Sequence, residues 1–573
     1  MGDAPTRVAD PKAAATALDR FFETFYRQRP VSATFTGIHD LDTVLPDWSA
    51  GGLARVADET RALRHDLKNA GRVPDDEVTA FPVDVDLALA DVVLEIALAE
   101  HESRHFVHTN PSLWTGEAIF GVLSLVTRDF APIGERLHAA HKRLDAIPAF
   151  LRDLPHVLDA APSDWTSHAK RECQAAAALF SGALPAWVRE LVSADPSLMA
   201  DVDLSAWVAA SVKAAESFVT LDAWLEAPTT HRPAPGAADL LELLVRRGHW
   251  VTTPIPDLMA EAADALDEAT ARLEAMARPL GGWPAVQELL AAEHPLAEGY
   301  LPRFEEKWQA CWQAAHDHNL VTWPVAPLRY VPIPVHTRDA AASLYYLNYR
   351  SPAPFDPPGV FDYVVPPIDG LAGAALDARL RTVNDSVITL NHVVHHGAIG
   401  HHVQNHHAFV GASRVGRVAA VDAANRIAMF PGGSLAEGWA CYVCDLMEEI
   451  GFLSPLERIA QQHTRVRIAA RAVADLSLHS GALTPTTAAK LYVDRAAMSA
   501  AAAHGEATRN SMFPGTAVMY WLGTQELHRL RAAVRLRQGD AFSRRAFHDR
   551  VLSYGAIPVK LISKLMVAEE ASS

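Results

Sequence analysis

Apolar residues that recur every three to four positions are the feature that most constrains how this chain can fold. Leu18, Phe21, Phe22 and Phe25 share one face of a helix predicted over residues 14–28. The same spacing predicts further helices over residues 84–103, 134–152, 258–277, 379–396, 400–410, 434–450, 455–480, 485–503, 515–533 and 543–554. We therefore predict a mainly α fold.

The pattern changes between residues 325 and 367. The segments VAPLRYVPIPVH, ASLYYLNY and VFDYVVPP are rich in Val, Tyr and Pro and alternate over short stretches, which predicts a small β element beside the site. We place a boundary here, with an N-terminal helical scaffold over residues 1–325 and the site-bearing region over residues 326–573. A single continuous body is the alternative to this division.

Charge and cysteine content narrow the classes of partner and compartment. The 51 Lys and Arg residues against 68 Asp and Glu residues give a net charge of −17, which argues against binding nucleic acid or an anionic membrane. Four cysteines are too few for a disulfide scaffold. The N-terminus lacks the apolar core of a secretory signal, and we see no apolar run long enough to span a bilayer. These features predict a cytoplasmic protein, and they leave its oligomeric state open.

Seven of the 27 histidines lie between His392 and His407, in the segment NHVVHHGAIGHHVQNHH. Histidine is the commonest metal ligand in proteins, so this segment predicts a metal site. On helical spacing the possible ligand pairs are His392/His396, His402/His406 and His395/His402. His395/His401, six residues apart, works only if the helix is interrupted, and Gly397 and Gly400 favour such an interruption. Spacing alone does not choose among these pairs.

Glu437 is the best downstream carboxylate to complete such a site, because histidine metal sites usually add one. It lies three residues after Ser434, at the start of a predicted helix. The same spacing is that of a capping box, in which Glu437 would only bond the helix N-terminus. Both roles fit the sequence.

An ordered series of motifs resembles a large bacterial family, domain of unknown function 885. The family signature is His-Glu-x-x-Pro-Gly-His-His-x-Gln, followed by Glu-Gly-Trp-Ala-x-Tyr. The residues that match it are His395, Gly400, His401, His402, Gln404, Glu437, Gly438, Trp439, Ala440 and Tyr442. Further similarity lies in ADLSLH, in FPGTAVMYWLG, and in FHDRVLSYGAIPVKLI near the end of the chain.

That family is similar to helical zinc metallopeptidases of the gluzincin type. The resemblance implies a zincin-like, metallopeptidase-like multi-helix fold and one divalent transition metal, most simply zinc. The implied ligands are His395, His401 and Glu437, with His402 as an alternative second ligand.

The chain departs from the family where hydrolysis is carried out. His396 stands where the family has the glutamate that acts as general base in zincins. Other departures are Ile399, Cys444, Asn510 and Thr516. Neutral His396 could serve as a base near pH 7 or turn inward as a further ligand, so we assign it a catalytic or metal-binding role.

The remaining motif residues imply supporting roles. Tyr520 is the candidate for stabilising an oxyanion or donating a proton, and Arg509 for binding a substrate carboxylate. His479 is a candidate acid or base, which Asp475 would orient from one helical turn before it. For each of these, a buried polar network that supports the helices is the alternative.

Together these features predict a metal-dependent, hydrolase-like enzyme with an altered catalytic group, acting on a small amino-acid-like or peptide-like substrate. One alternative is a non-hydrolytic metalloenzyme, such as a lyase, isomerase, dehydratase or cyclase, in small-molecule biosynthesis. The other is a catalytically inactive relative that binds a metal or a ligand.

Overall fold

The computed structural model describes residues 11–200, 202–226, 237–344, 348–357 and 359–572. It is mainly helical, as the periodicity predicts. The helices before residue 325 are α1 (Pro11–Gln28), α2 (Pro30–Thr36), α3 (Ala50–Asn69), α4 (Val83–Glu102), α5 (Pro111–Val126), α6 (Ile133–Val157), α7 (Ser163–Ala178), α8 (Leu184–Ala194), α9 (Leu204–Leu225), α10 (Ala238–Leu243), α11 (Ile255–Ala277), α12 (Trp283–Ala292) and α13 (Tyr300–Asp317).

The helices after residue 325 surround the histidine segment. They are α14 (Val335–Ala341), α15 (Gly373–Thr382), α16 (Asp385–Val387), α17 (His401–Phe409), α18 (Arg414–Val418), α19 (Gly433–Glu449), α20 (Pro455–His479), α21 (Pro485–Ala496), α22 (Ala500–Met512), α23 (Val518–Gln538), α24 (Arg544–Ser553) and α25 (Val559–Ser572). Three π-helical stretches, Leu179–Ala183, Leu244–Gly248 and Ile388–Gly397, continue from α7, α10 and α16.

A two-stranded parallel sheet confirms the predicted β element. Strand β1 (Leu328–Pro332) pairs with β2 (Phe361–Val365), with Tyr330 opposite Tyr363. Residues 335–341 form α14 instead of a strand. Part of the second predicted stretch, residues 345–347, lies outside the described residues. The two tyrosines are buried against the π-helical Ile388–Gly397 stretch, so the sheet supports the histidine segment.

The core is built from helices that are apolar on most of their surface. α5 buries every residue except Glu117, and α4 buries the continuous run from Val85 to Leu94, as expected of helices with little polar surface. The largest hydrophobic cluster joins Phe21 and Leu89 to Trp439 and Leu565, so it continues across residue 325.

Helices α7 and α8 and the π-helical stretch between them form one helix from Ser163 to Ala194. By length and composition it is apolar enough to cross a membrane, with a mean hydropathy of 1.2. Trp165, Cys173 and Phe180 on this helix are fully buried, and α7 packs against α5 and α9. Burial along one side is the pattern of a helix packed into a protein core.

Candidate metal centre

The histidine segment is interrupted at the two glycines. A π-helix ends at Gly397, and α17 begins at His401 after the turn Ala398–Gly400. Single π-helical turns inside helices occur frequently at functional sites. The His395/His401 pair requires an interrupted helix, and the structure has this interruption.

Two tryptophan side chains hold the turn. Trp308 donates its indole N–H to the carbonyl of Gly397 at 2.8 Å, and Trp439 donates to the carbonyl of Ile399 at 2.9 Å. A Cβ atom added at Gly400 would lie 1.8 Å from the carbonyl oxygen of His395, so only glycine fits there. The turn is therefore closely packed and fixed from both sides.

Glu437 does not cap its helix. α19 begins at Gly433, and no side chain caps its N-terminus. The hydroxyl of Ser434 instead accepts a hydrogen bond from the backbone N–H of Val559, at 3.3 Å. The capping-box interpretation is therefore wrong, because Ser434 lies inside the first turn and faces α25.

Glu437 faces the two histidines that the resemblance implies. Its Oε2 lies 3.5 Å from Nε2 of His395 and 3.4 Å from Nε2 of His401. This oxygen is buried and has no hydrogen-bond partner among the described residues. Ring nitrogens of His395, His396 and His401 also lie within 4.8 Å of one another.

His395, His401 and Glu437 shift one another's pKa values, because each can bind a proton and all three are buried together. Burial alone would lower the pKa of His401, but the charge of Glu437 outweighs it and raises that pKa. The pKa of Glu437 is held well below its usual value, because the charge of His401 and the approach of both imidazoles outweigh burial. Burial lowers the pKa of His395 despite Glu437. The carboxylate of Glu437 thus favours a positive charge at this position.

His396 is neutral and fixed in orientation. Its Nδ1 lies 2.7 Å from the carbonyl of Asn391 and so carries the proton, which leaves Nε2 as an acceptor. Burial and the neighbouring histidines hold its pKa well below the ordinary value. At neutral pH this imidazole can accept a proton only at Nε2.

Of the other four histidines of the segment, three bond to the protein frame, whereas Nε2 of His406 is buried without a hydrogen-bond partner among the described residues. Nδ1 of His392 lies 2.7 Å from the hydroxyl of Tyr363, and His407 bonds the carbonyl of Thr322. His402, the alternative ligand, directs its Nε2 to the carbonyl of Ala326 at 2.9 Å and does not line the cavity. The structure therefore brings together His395, His401 and Glu437, with His396 beside them.

This group opens onto a cavity of about 960 Å³. Arg509 and Tyr520, both predicted from the motifs, lie on the cavity wall. This volume is at the upper end of the range for small-molecule sites, about 300–1,000 Å³.

His479 does not line this cavity. Its Nε2 bonds the carbonyl of Asn510 at 2.9 Å, and burial lowers its pKa to about 4. Asp475 accepts the backbone N–H groups of Gly515 and Val518 at 3.0 and 2.8 Å. These bonds join α20 to the loop before α23, and Nε2 of His479 also lies 3.5 Å from Oδ1 of Asp475. The acid or base role of His479 stays a prediction.

Sequence reasoning missed two arginines on the cavity wall, Arg467 and Arg471 of α20. Arg471 forms a two-pronged ion pair with Glu506, at 2.7 and 3.2 Å, and its guanidinium lies 5.1 Å from the centre of the Tyr520 ring. The i, i+4 spacing of the arginines was visible, but the same spacing is common on solvent-exposed helix faces.

The family model for bacterial proteins of unknown function, DUF885, matches residues 30–566. The chain belongs to this family. Among curated proteins, none matches the chain.

Two solved structures of candidate lipoproteins share the fold. One, of unknown function, is from Shewanella oneidensis: it is 21% identical, has a TM-score of 0.74, and the match covers 97% of this chain and 99% of that one. The other, from Colwellia psychrerythraea, is 15% identical with a TM-score of 0.74, over 98% and 99% of the two chains. The lipoprotein description applies to those proteins, and the cytoplasmic location of this chain stays a prediction.

Proposed function

We propose that the chain is a metal-dependent enzyme that holds one divalent transition metal, most simply zinc, with His395, His401 and Glu437. The observation that carries this proposal is the buried, unbonded Oε2 of Glu437 between two imidazole nitrogens. Folded proteins rarely leave a buried carboxylate oxygen without a partner, so the atom points to a missing cation.

The ligand spacing supports a metal. Two ligand atoms at 2.0–2.1 Å from a tetrahedral ion lie about 3.3 Å apart. The separations of 3.4 and 3.5 Å are close to that value and are long for a charge-assisted hydrogen bond. Two histidines and one glutamate are also the donor set of catalytic zinc sites in gluzincins, which is the relationship we propose for this site.

A metal bound there would act as a Lewis acid on a substrate oxygen or lower the pKa of a water molecule. The chain supplies the proton acceptor beside it, Nε2 of His396, fixed by the bond from Nδ1 to Asn391. Arg471, held by Glu506, supplies a positive charge close enough to lower the pKa of His395. We infer a small amino-acid-like or peptide-like substrate from the cavity size and these polar groups.

A second candidate is a non-hydrolytic metalloenzyme of the lyase or isomerase class. The observation that favours it is His396 itself, a neutral imidazole of low pKa where the family has a carboxylate. The carboxylate that takes a proton from the metal-bound water in zincins is missing at this position, so the metal would serve as a Lewis acid on a substrate oxygen.

Metal analysis of the purified protein tests the proposal. We expect about one transition metal per chain in the wild type and in a His407→Ala control, whose histidine bonds Thr322 away from the cavity, and none in His395→Ala. Metal missing from the wild type, or retained in His395→Ala, would show that the proposal is wrong.

A His396→Glu variant separates the two candidate reactions. If it cleaves peptides that the wild type leaves intact, the frame supports hydrolysis and the native reaction is another one. If the wild type already cleaves them, the non-hydrolytic candidate is excluded.

A further inference from the structure

Arg467 is a cation on the cavity wall for which the described residues offer no partner. Its side chain is half-buried, with no carboxylate oxygen within 4.0 Å and no hydrogen bond. Glu506 is the acidic group nearest in effect, but both of its oxygens bond Arg471. A desolvated charge is costly unless it is paired, so this arrangement is suboptimal for stability.

The neighbours of Arg467 add positive charge instead of compensating it. Burial, and then the charge of Arg471, lower the pKa of Arg467. Arg509 lies on the same wall, and its charge also acts on Glu506. Three arginines therefore act on one glutamate, Glu506, and the charge of Arg471 also reaches His395.

We propose that Arg467, with Arg471 behind it, binds an anionic group of the substrate, a carboxylate or a phosphoryl group. Guanidinium presents two parallel N–H donors that match either oxyanion. Of Arg467, Arg471 and Arg509, Arg467 is the one without a hydrogen bond or ion pair among the described residues, so a ligand anion would supply the partner that it lacks.

The inference rests on the proposed function in one respect, since it takes the molecule bound at this wall to be the substrate of the metal centre. It narrows that substrate to one that carries a negative group. A free C-terminal carboxylate, an acidic side chain and a phosphate ester are the chemistries that satisfy it.

Stability of the free protein gives the first test. Arg467→Met should leave the thermal unfolding midpoint unchanged or raise it, because it removes an unpaired, partly desolvated charge. Arg471→Met should lower the midpoint, since it leaves Glu506 without its partner. The matched control is Arg458→Met, on the same helix but 54% exposed and away from the cavity. A fall in Arg467→Met as large as in Arg471→Met would mean that Arg467 is structural and would overturn the inference.

Calorimetric titration with N-acetyl-L-alanine, its neutral amide and phenyl phosphate gives the second test. We expect the carboxylate or the phosphate to bind the wild type and Arg458→Met about 10- to 100-fold more tightly than the amide. Arg467→Met should lose this difference, and Arg467→Lys should keep only part of it. The relative affinity of the two anions separates the carboxylate source from the phosphate source.

His395→Ala separates this inference from the proposed function. If anion binding survives in His395→Ala but not in Arg467→Met, the inference stands even where the wild type contains no metal. If binding is lost in His395→Ala and retained in Arg467→Met, the anion binds at the metal centre and the inference is wrong. It is also wrong if the wild type binds neither anion better than the amide.

Discussion

Gly400 offers the sharpest test of how the fold positions the centre, through the variant Gly400→Ala. The added Cβ would lie 1.8 Å from the carbonyl oxygen of His395, whereas real Cβ atoms stay at least 3.0 Å from such neighbours. The two backbone segments must therefore separate by about 1.2 Å, the difference between 3.0 and 1.8 Å. The tryptophan bonds to Gly397 and Ile399 oppose that movement.

The same movement changes the distance between His395 and His401, since the turn joins them. Overpacking a closely packed site costs about 1–3 kcal/mol, and a backbone collision belongs at the upper end. We expect Gly400→Ala to lose about 3 kcal/mol of unfolding free energy. Because metal–ligand distances tolerate only about 0.2 Å, metal affinity should fall by about 100-fold or more.

Urea denaturation and a competitive metal-chelator titration measure the two effects. Gly505→Ala is the matched control, because it lies within α22 with no atom within 4 Å of the added Cβ. It should gain about 0.5–1 kcal/mol from helix propensity. If Gly400→Ala unfolds within about 0.5 kcal/mol of the wild type and holds metal as tightly, the turn does not set the ligand geometry.

Two further predictions concern side-chain hydrogen bonds, one at the turn and one at His39, outside the candidate metal centre. Trp439→Phe removes the donor to the buried carbonyl of Ile399, so we expect a loss of about 1–3 kcal/mol in urea denaturation and weaker metal binding; an unchanged metal affinity would contradict the positioning role. His39 lies 2.8 Å from both Asp42 and Asp356, and these bonds, against burial, raise its pKa to about 9. Its stabilisation is complete below pH 6.5 and is lost as the pH rises through about 9, so the wild type should lose about 2 kcal/mol over that range, after allowance for partial exposure, and His39→Gln should not.

The helices were largely predictable because burial repeats with the helical period. α1 and α11 match the expected segments within three residues at each end. The segment 485–503 divides into two helices at Ala497, which adopts a left-handed conformation with φ of 50° that periodicity does not reveal. The parallel pairing of β1 and β2 was likewise not predictable, because the partner strand lies about thirty residues away.

At the site, local spacing predicted features within one segment of the chain. It did not predict contacts between residues that are far apart in sequence. The glycines indicated the interruption between His395 and His401. The role of Glu437 depended on where Ser434 bonds, and its partner Val559 lies more than a hundred residues further along the chain. The candidacy of Arg467 depends on the pairing of Glu506 with Arg471, a contact between two helices that local spacing does not reveal.

His396 and Arg467 both bear on the net charge of the site, and together they favour an anionic ligand. A glutamate at position 396 would add a negative charge to a centre that already contains Glu437, and would repel an anion bound at Arg467. A neutral imidazole there keeps a proton acceptor without that repulsion.

The two proposals are therefore linked through charge: anion affinity at Arg467 should fall when His396→Glu is introduced, even though the two residues lie on different helices. The loss should shrink as salt is raised, because the coupling is electrostatic. A His396→Gln variant, which changes shape without charge, should leave anion binding unchanged, and equal losses in both variants would show that the coupling is steric instead.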